Sequence, residues 1–374
     1  MFTTKKKVIV SVINDLVTDN RVQKTCGVLA ESGYEVLLVG RKLKNSLPVP
    51  NWNMQTKRMK LIFTKGPLFY LFFNIRLFFI LLFTKADLLF ANDLDTLWPN
   101  FIVSKIKSIP LVYDSHELFC EVPELKNSNL KRKIWQSLES NIVPKLKYCI
   151  TVNQSIANIF NEKYKVHFFV IRNIPQKPNV NTKSKEQLNL PAQTKIILMQ
   201  GAGINVERGA EELVEAMKEV NQALLLIIGG GDVWSKLAKL VEVHQLQDKV
   251  ILIDKIPKEE LISYTLVADL GISIDKNTNL NYYNSLPNKL FDYLQAGIPV
   301  LATHLPEIER ILNQYNAGWF IENHLPSHIA ERINYILGSE ELAIKKTNAL
   351  RAGMELNWET EKVKYLKLIE GIQF

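Results

Sequence analysis

The chain has 374 residues, a length that suits two α/β domains better than a single one. Hydrophobic residues make up 47% and charged residues 22%, which excludes a disordered or fibrous protein. The formal net charge of +8 indicates an anionic ligand or an anionic surface, with ordinary solubilising charge as the alternative. Nucleic acid is not expected as a partner, because the Lys and Arg residues are spread along the chain without a known binding motif.

The cysteines and the N-terminal residues indicate the cellular compartment in which the protein works. Cys26, Cys120 and Cys149 are widely spaced and form no Cys-x-x-Cys pair, which predicts buried, reduced thiols in the cytoplasm. The apolar run near the N-terminus breaks at Asn14 and Asp15 after about six residues, too short for the hydrophobic region of a signal peptide. We expect it to form the first β-strand. The histidines are scattered, and no metal site is predicted.

Short β-branched runs alternate with amphipathic stretches through both halves of the chain. The runs of the first half are KVIVSVIN, YEVLLVG, MKLIF, ADLLFAND, PLVYDS, YCITVN and HFFVIRN. Those of the second half are TKIILMQG, ALLLIIGGG, KVILID, ADLGISI and IPVLAT. Apolar strands that alternate with helices predict parallel sheets covered on both faces.

A change of composition separates the halves. Residues 175–185, PQKPNVNTKSK, hold two prolines and two asparagines and no large apolar residue, which predicts a linker. We therefore expect Rossmann-like domains over residues 1–175 and 186–357. A C-terminal helix over residues 358–374 is expected to pack back on the first domain.

Residues 67–83, PLFYLFFNIRLFFILLF, are the most apolar segment of the chain. A spanning helix needs about 20 apolar residues, and Asn74 and Arg76 interrupt this run, so passage across a membrane is not predicted. Two interpretations stay open: a helix buried on the first sheet, or a helix at the bilayer interface that holds the protein peripherally on the inner face of the cell membrane. Nearby cations favour the second interpretation, namely Lys57, Arg58, Lys60, Lys65 and Lys85.

The strongest chemical signal is residues 284–303, NSLPNKLFDYLQAGIPVLAT. A polar loop leads into a short helix, expected over residues 286–296, whose free N-terminal N–H groups and dipole attract phosphate. Asn288 and Lys289 lie in its first turn, where Lys289 adds a full positive charge. Asp292 follows about one turn later, where a carboxylate accepts hydrogen bonds from ribose hydroxyls.

This string resembles the nucleotide-binding segment of glycosyltransferase family four, the retaining group with the GT-B fold. The family's Glu-x7-Glu motif places its second acid at Asp292, and residues 296–300, AGIPV, match the motif's tail. The first acid falls on Asn284, a departure at the position that holds the donor sugar. The Pro-Asn-Lys variant is similar to members that build bacterial surface polysaccharides. The resemblance implies two Rossmann-like α/β domains facing a cleft.

A second match precedes the first, in residues 199–217, MQGAGINVERGAEELVEAM. Arg208 and Gly209 fall on the family's Lys-Gly pair, and a guanidinium suits bidentate phosphate binding. The family's upstream Arg is replaced by Gly203, so Lys289 is expected to supply the missing contact. Gly201 belongs to the same turn.

The run between these motifs also follows the family's order. The resemblance implies base contacts at the glycine turn around Gly230 and at Ile256. A dehydrogenase is not expected, because Gly201-x-Gly203 lacks the third glycine and the acidic residue of a dinucleotide fingerprint.

The first half resembles the family less closely. His116 and Glu117 follow a strand's carboxyl end, where ligands gather in open α/β sheets, and the resemblance gives His116 a place in the catalytic centre. Polar residues in the first loop and after the ADLLF strand suggest acceptor binding, with N-capping by Asp19 as the alternative. The expected acceptor residues are Asn14, Asp15, Asp19, Asp93 and Glu117.

The resemblance implies a retaining, hexosyltransferase-like enzyme of cell-envelope polysaccharide synthesis. Its catalytic residues are expected to be His116, Arg208 and Lys289. A UDP- or GDP-type sugar is expected as co-substrate, a glycan or lipid-linked molecule as acceptor, and no further cofactor. Two alternatives remain: a sugar-nucleotide 2-epimerase using Asp93, Asp95 and Glu117, or a non-catalytic GT-B scaffold protein.

Overall fold

The computed structural model describes residues 5–122, 125, 128–176 and 181–374, so residues 177–180 of the predicted linker lie outside the described part. The chain divides into two compact units. The first unit holds Met1–Asn173 and Glu361–Phe374, and the second holds Ile174–Thr360. Each unit is built on one parallel β-sheet.

The first unit has a seven-stranded sheet of order β3-β2-β1-β4-β5-β6-β7. Its central strands are buried on both faces, which explains why they appear in the sequence as unbroken apolar runs. The strands are β1 (Lys7–Asp15), β2 (Glu35–Lys42), β3 (Gln55–Lys60), β4 (Leu88–Asn92), β5 (Leu111–Ser115), β6 (Tyr148–Thr151) and β7 (Phe168–Val170). The helices are α1 (Asn20–Glu31), α2 (Gly66–Phe83), α3 (Leu94–Lys107), α4 (Asn129–Ile142) and α5 (Gln154–Tyr164).

The second unit has a six-stranded sheet of order β10-β9-β8-β11-β12-β13. Its strands are β8 (Lys195–Gly201), β9 (Ala223–Gly229), β10 (Val250–Asp254), β11 (Leu270–Ser273), β12 (Val300–Thr303) and β13 (Gly318–Ile321). Its helices are α6 (Ala210–Ala216), α7 (Trp234–Val243), α8 (Lys258–Leu266), α9 (Leu280–Tyr283), α10 (Asn288–Gln295), α11 (Pro306–Tyr315), α12 (Pro326–Gly338) and α13 (Glu341–Glu355). The two sheets confirm the predicted pair of Rossmann-like α/β domains.

Three expectations about element bounds need correction. The third strand begins four residues before the predicted MKLIF run, because β3 is an edge strand whose polar residues hide its start. Strand β13, GWFI, is an edge strand with only three apolar residues in a row and was not predicted. The phosphate-binding helix expected over residues 286–296 is α10, and it starts later, after Pro287.

Helix α10 is fixed on the second sheet by one buried ring. The side chain of Tyr293 is fully buried, and its hydroxyl accepts from the Gln200 N–H and donates to the Leu198 carbonyl, both at 3.1 Å. Gly271 in β11 leaves room for this ring, because a Cβ there would lie 2.5 Å from it. The two polar contacts and the tight fit set the position of α10 above the ends of β8 and β11.

A last helix, α14 (Trp358–Glu370), supplies residues to the first unit. The Glu361 carboxylate accepts from the Arg172 N–H at 2.8 Å, and Lys362 pairs with Glu31. Deeper in the unit, the Tyr365 hydroxyl accepts a hydrogen bond from Thr25 at 3.0 Å. These contacts place the C-terminal segment against α1 and the end of β7.

Helix α2 has two apolar faces. Phe69, Phe73, Leu77 and Leu81, spaced four residues apart, are buried on the sheet. The other face is exposed and carries Leu68, Leu71, Phe72, Ile75, Phe79 and Phe83. In the described part of the chain, α2 is the one helix long and apolar enough to cross a membrane, and 28% of it is buried. The predicted core helix and the predicted exposed apolar surface are therefore two sides of the same element.

Candidate functional site

Two predicted cations of the second unit meet at a carboxylate that sequence reasoning missed. Asp275 follows β11 and is fully buried. Its Oδ1 lies 3.1 Å from Nη1 of Arg208, and its Oδ2 lies 3.3 Å from Nζ of Lys289. Arg208 comes from the loop after β8, and Lys289 from the first turn of α10. The structure thus brings the two residues together, and Asp275 is the group that holds them.

The ionisation of this trio is set by burial and by mutual charge. Burial alone would raise the pKa of Asp275, but Lys289 and Arg208 outweigh it and lower the pKa. Burial lowers the pKa of Lys289, although Asp275 opposes this. Burial alone would lower the pKa of Arg208, but Asp275 and Tyr282 together outweigh it and raise the pKa. An ionised Asp275 between two cations leaves one positive charge in excess, which favours an anion.

The loop that carries Arg208 is shaped by its backbone. Glu207 and Gly209 both have positive φ, of 69° and 77°. A Cβ at Gly209 would lie 2.5 Å from the carbonyl oxygen of Ile274, so only glycine fits between this loop and β11. The Arg208 guanidinium lies 4.2 Å from the ring centroid of Tyr282. This cation–π contact and the Asp275 ion pair fix the guanidinium in place.

The N-terminus of α10 is open. Pro287 is its N-cap residue, and no side chain caps the first turn. Free N–H groups at a helix N-terminus bind anions, and here the Lys289 ammonium lies in the same turn. Asn288 is exposed at the first helical position. The arrangement therefore joins a helix dipole to two side-chain cations.

Asp292 lies half-buried one turn further along α10. Its Oδ2 accepts a hydrogen bond from Nε2 of Gln200 at 3.2 Å. The Thr265 hydroxyl donates to Oε1 of Gln200 at 2.8 Å, which fixes which way the buried amide points. Gln200 is thus a second residue that sequence reasoning missed, and it orients the carboxylate predicted to hold ribose.

The predicted base-binding loops also come together. The Ile204 N–H donates to the Gly230 carbonyl at 2.8 Å, which ties the loop after β8 to the loop after β9. A Cβ at Gly230 would lie 3.1 Å from the Lys255 side chain. The loop after β9 therefore lies close to the loop that holds Lys255 and the half-buried Ile256. Gly201 ends β8, and Gly203 stands in the same loop. These residues line neighbouring strand ends, as predicted, but their contact with a base stays a prediction.

Asn284, which is predicted to bind the donor, lies at the end of a short helix. Its side chain is 5% exposed, and its amide donates to the Leu280 carbonyl at 2.8 Å. The residue ends helix α9, and its buried amide is used in that turn. At the position where the family has a glutamate, this chain thus has a residue that hydrogen-bonds within its own turn, and its role in donor binding stays a prediction.

In the first unit, His116 lies between two carboxylates. Its Nδ1 is 3.0 Å from Asp93 Oδ2, and its Nε2 is 3.6 Å from Asp114 Oδ2. The backbone N–H of His116 also donates to Asp93 at 2.8 Å. Asp93 has a φ of 61°, in the left-handed region that few non-glycine residues adopt. His116 and Asp93 were both predicted here, and Asp114 was not.

Asp114 is the buried anchor of this cluster. It is fully buried and accepts from Nε and Nη2 of Arg21 at 3.0 and 2.7 Å. The Tyr365 hydroxyl from α14 donates to it at 3.1 Å. Burial would raise the pKa of Asp114, but Arg21 and His116 outweigh burial and lower it. The carboxylate is therefore ionised beside the imidazole.

These carboxylates control the charge of His116. Burial alone would lower the pKa of His116, but Asp93 and Asp114 outweigh it and hold the pKa well above its usual value. The residue is thus an imidazolium near neutral pH, which donates hydrogen bonds and does not accept a proton. Burial and the Asp93 charge raise the pKa of nearby Asp95 well above its usual range.

The predicted acceptor residues separate into two groups. Asn14, Asp93 and Glu117 line one pocket at the carboxyl edge of the first sheet. Asp19 instead caps α1, accepting from the Val22 N–H at 3.1 Å, which confirms the alternative of an N-cap. Asp15 is 6% exposed and pairs with Arg58, so its carboxylate is occupied within the fold. A contact between the acceptor and either Asp15 or Asp19 stays a prediction.

Two family models match the chain, one on each unit. The model described as Glycosyltransferase Family 4 matches residues 19–175, and the model described as Glycosyl transferases group 1 matches residues 180–351. A chitobiosyldiphosphodolichol beta-mannosyltransferase of Debaryomyces hansenii is 22% identical over 285 residues. That alignment covers 67% of this chain and 60% of the relative, so the chain spans about three fifths of the relative's length.

Solved structures share the whole fold. A sucrose-phosphate synthase from Thermosynechococcus elongatus superposes with a TM-score of 0.82 at 18% identity, covering 98% of both chains. An Anabaena protein solved with UDP and glucose gives a TM-score of 0.74 at 14% identity, covering 98% of this chain and all of the other. With a family model on each unit and this fold throughout, the chain belongs to glycosyltransferase family four and has its GT-B fold.

Proposed function

We propose that this protein is a retaining glycosyltransferase. It transfers a sugar from a nucleoside diphosphate donor, of UDP or GDP type, to a glycan or lipid-linked acceptor in cell-envelope polysaccharide synthesis. One observation carries the proposal: Arg208 and Lys289 are held by the buried Asp275 beside the open N-terminus of α10. This arrangement suits a diphosphate leaving group, because it supplies fixed positive charge where negative charge develops.

The donor occupies the second unit in this proposal. The diphosphate lies against Arg208, Lys289 and the first N–H groups of α10, and Asp292, oriented by Gln200, accepts hydrogen bonds from the ribose hydroxyls. The base lies between the loops at Gly230 and Ile256. The nucleotide sugar is a substrate, and the mechanism uses no further cofactor. The Anabaena relative in complex with UDP supports a donor of this class.

The reaction is a substitution at the anomeric carbon. The bond from that carbon to the diphosphate oxygen breaks, and the electron pair stays on the diphosphate, which the cations stabilise. The acceptor hydroxyl forms the new bond on the same face of the sugar, and its proton passes to the leaving diphosphate. His116, as an imidazolium whose two ring N–H groups face Asp93 and Asp114, takes no proton in this scheme.

We place the protein peripherally on the cytoplasmic face of a membrane. Phe72, Ile75 and Phe79 expose 39–50% of their surface on one side of α2. An apolar face of this kind inserts below lipid headgroups, and basic residues beside it attract anionic lipid. Lys65 precedes the helix and Lys85 follows it. A lipid-linked acceptor is available at such a surface.

The test is incubation with UDP- and GDP-sugars and a crude acceptor lipid extract, followed by product analysis. The proposal expects a glycosylated product with the anomeric configuration of the donor, and much less of it from Arg208→Ala. An inverted product overturns the retaining mechanism. A 2-epimer of the donor points to the epimerase. If neither product forms and the protein binds no nucleotide, the scaffold alternative is supported.

A further inference from the structure

A pocket of about 760 Å³ in the first unit has a mixed lining. Polar side chains at the ends of β1, β4 and β5 form one part, including Asn14, Asp93 and Glu117. Apolar side chains of α2 and α4 form another part, including Leu71 and Ile134. The volume suits a ligand somewhat larger than one sugar ring. The pocket is thus amphipathic, with hydrogen-bond acceptors for hydroxyl groups beside an apolar wall.

The apolar wall is exposed to solvent in the free protein. Leu71 is 52% exposed and Ile134 is 53% exposed, and Trp135 and Leu138 lie half-buried beside them. Branched aliphatic side chains make poor partners for the hydroxyl-rich surface of a glycan, since they offer it no hydrogen bonds. They gain free energy when an alkyl chain covers them, because apolar surface leaves water on both sides.

The wall also continues onto the exposed face of α2. Leu71 lines the pocket and belongs to the same exposed face as Phe72 and Ile75. Trp98, which is 39% exposed, lines the pocket from α3. An alkyl chain that leaves the pocket past these residues reaches the exposed face of α2, which is proposed to insert into the membrane. One continuous amphiphile therefore fits this surface, with its head group at Asp93 and Glu117 and its alkyl chain along α2.

We infer that this pocket selects the acceptor as an amphiphile, a hydroxyl-bearing sugar head joined to an alkyl or polyprenyl chain. The head lies among Asn14, Asp93 and Glu117, and the first part of the chain lies on Leu71, Ile134 and Trp135. The inference rests on the proposed function and deepens it, because it chooses a lipid-linked acceptor over a free glycan and assigns specificity to α2 and α4.

The first experiment is calorimetric titration of the full chain with methyl, butyl, hexyl and octyl glucosides, each below its micelle concentration. Each methylene buried on the wall is expected to tighten binding about fourfold. Octyl glucoside, with four methylenes more, should then bind about 250-fold more tightly than butyl glucoside. Equal binding along the series overturns the inference. This titration needs neither donor nor turnover, and it does not depend on any variant folding.

Matched variants locate the effect. Leu71→Ser and Ile134→Ser each remove a wall residue and are expected to weaken octyl glucoside binding about tenfold. Leu68→Ser and Leu130→Ser are the controls, because Leu68 and Leu130 are 48% and 72% exposed on the same two helices, outside the pocket lining. Equal losses in variants and controls indicate a non-specific apolar surface and contradict the pocket.

The inference and the proposed function fail in different ways. If transfer occurs equally well to acceptors with and without a chain, the glycosyltransferase stands and the amphiphile pocket is refuted. If chain-dependent binding is seen but no sugar is transferred from any donor, the pocket's ligand class stands and the proposed activity is refuted.

Discussion

Replacement of Arg208 by alanine tests the diphosphate site at the residue with the most explicit geometry. The side chain is 26% exposed, and its guanidinium lies 3.1 Å from Asp275 and over the ring of Tyr282. A hydrogen bond to a charged group contributes about 1.5–3 kcal/mol, which corresponds to roughly 10- to 150-fold in affinity. Because the side chain is already ordered, little entropy is lost on binding, and we expect the loss in Arg208→Ala to lie in the upper part of that range.

We expect Arg208→Ala to lower the free energy of unfolding by less than the loss of one partner from an isolated buried ion pair does. Removing one partner of a buried pair costs about 3–5 kcal/mol when the other charge is left alone. Here Asp275 keeps Lys289 at 3.3 Å, so the loss of unfolding free energy should be smaller than that. Removing both cations leaves Asp275 uncompensated, and the double variant should show the full loss.

The assay is calorimetric titration of UDP and GDP, with thermal melting of each unliganded variant. Arg310→Ala is the matched control, because Arg310 lies 3.0 Å from the buried Glu307 on α11, outside the site. It should lower the melting temperature without changing the dissociation constant. Unchanged nucleotide affinity in both Arg208→Ala and Lys289→Ala, or an equal loss in Arg310→Ala, refutes the assignment.

Three further predictions concern other residues. Asp292→Asn should weaken nucleotide binding with little change in melting temperature, because asparagine still accepts from Gln200; a collapse in stability with normal affinity in the folded fraction makes Asp292 structural. His116 has a raised pKa, so its ion pairs stabilise the fold fully below about pH 6.5 and less as pH rises through the folded-state value. The stability gap between wild type and His116→Gln, measured by denaturant unfolding, should therefore shrink at alkaline pH, and a gap that grows contradicts the charge assignment. Phe72→Ser with Phe79→Ser should abolish salt-sensitive sedimentation with acidic phospholipid vesicles while the protein stays folded; no vesicle binding by the wild type at low salt refutes the membrane surface.

The fold was largely predictable because its strands are buried on both faces. Runs such as ADLLFAND and PLVYDS became β4 and β5, since a strand between two helical layers contains few polar residues. Prediction failed at one edge strand of each sheet, β3 and β13. Strand β3 begins with the polar residues QTKR, which give no apolar run, and β13 has only three apolar residues in a row.

The candidate site was predictable where local motifs carry it. Arg208 and Lys289 were found because a glycine turn and a helix start mark them in the sequence. Asp275 and Asp114 were missed because a buried carboxylate is recognised by its partners, and their arginine partners, Arg208 and Arg21, lie 67 and 93 residues away in the chain. Sequence separation of this size leaves no local pattern, and only the fold brings the charges together.

The most direct test of the account is a crystal structure of the protein soaked with UDP and, separately, with GDP. The account expects the diphosphate oxygens within hydrogen-bonding distance of Arg208 and Lys289, at the first N–H groups of α10, with the ribose hydroxyls on Asp292. Diphosphate bound elsewhere, with Arg208 and Lys289 still closed on Asp275, would contradict it.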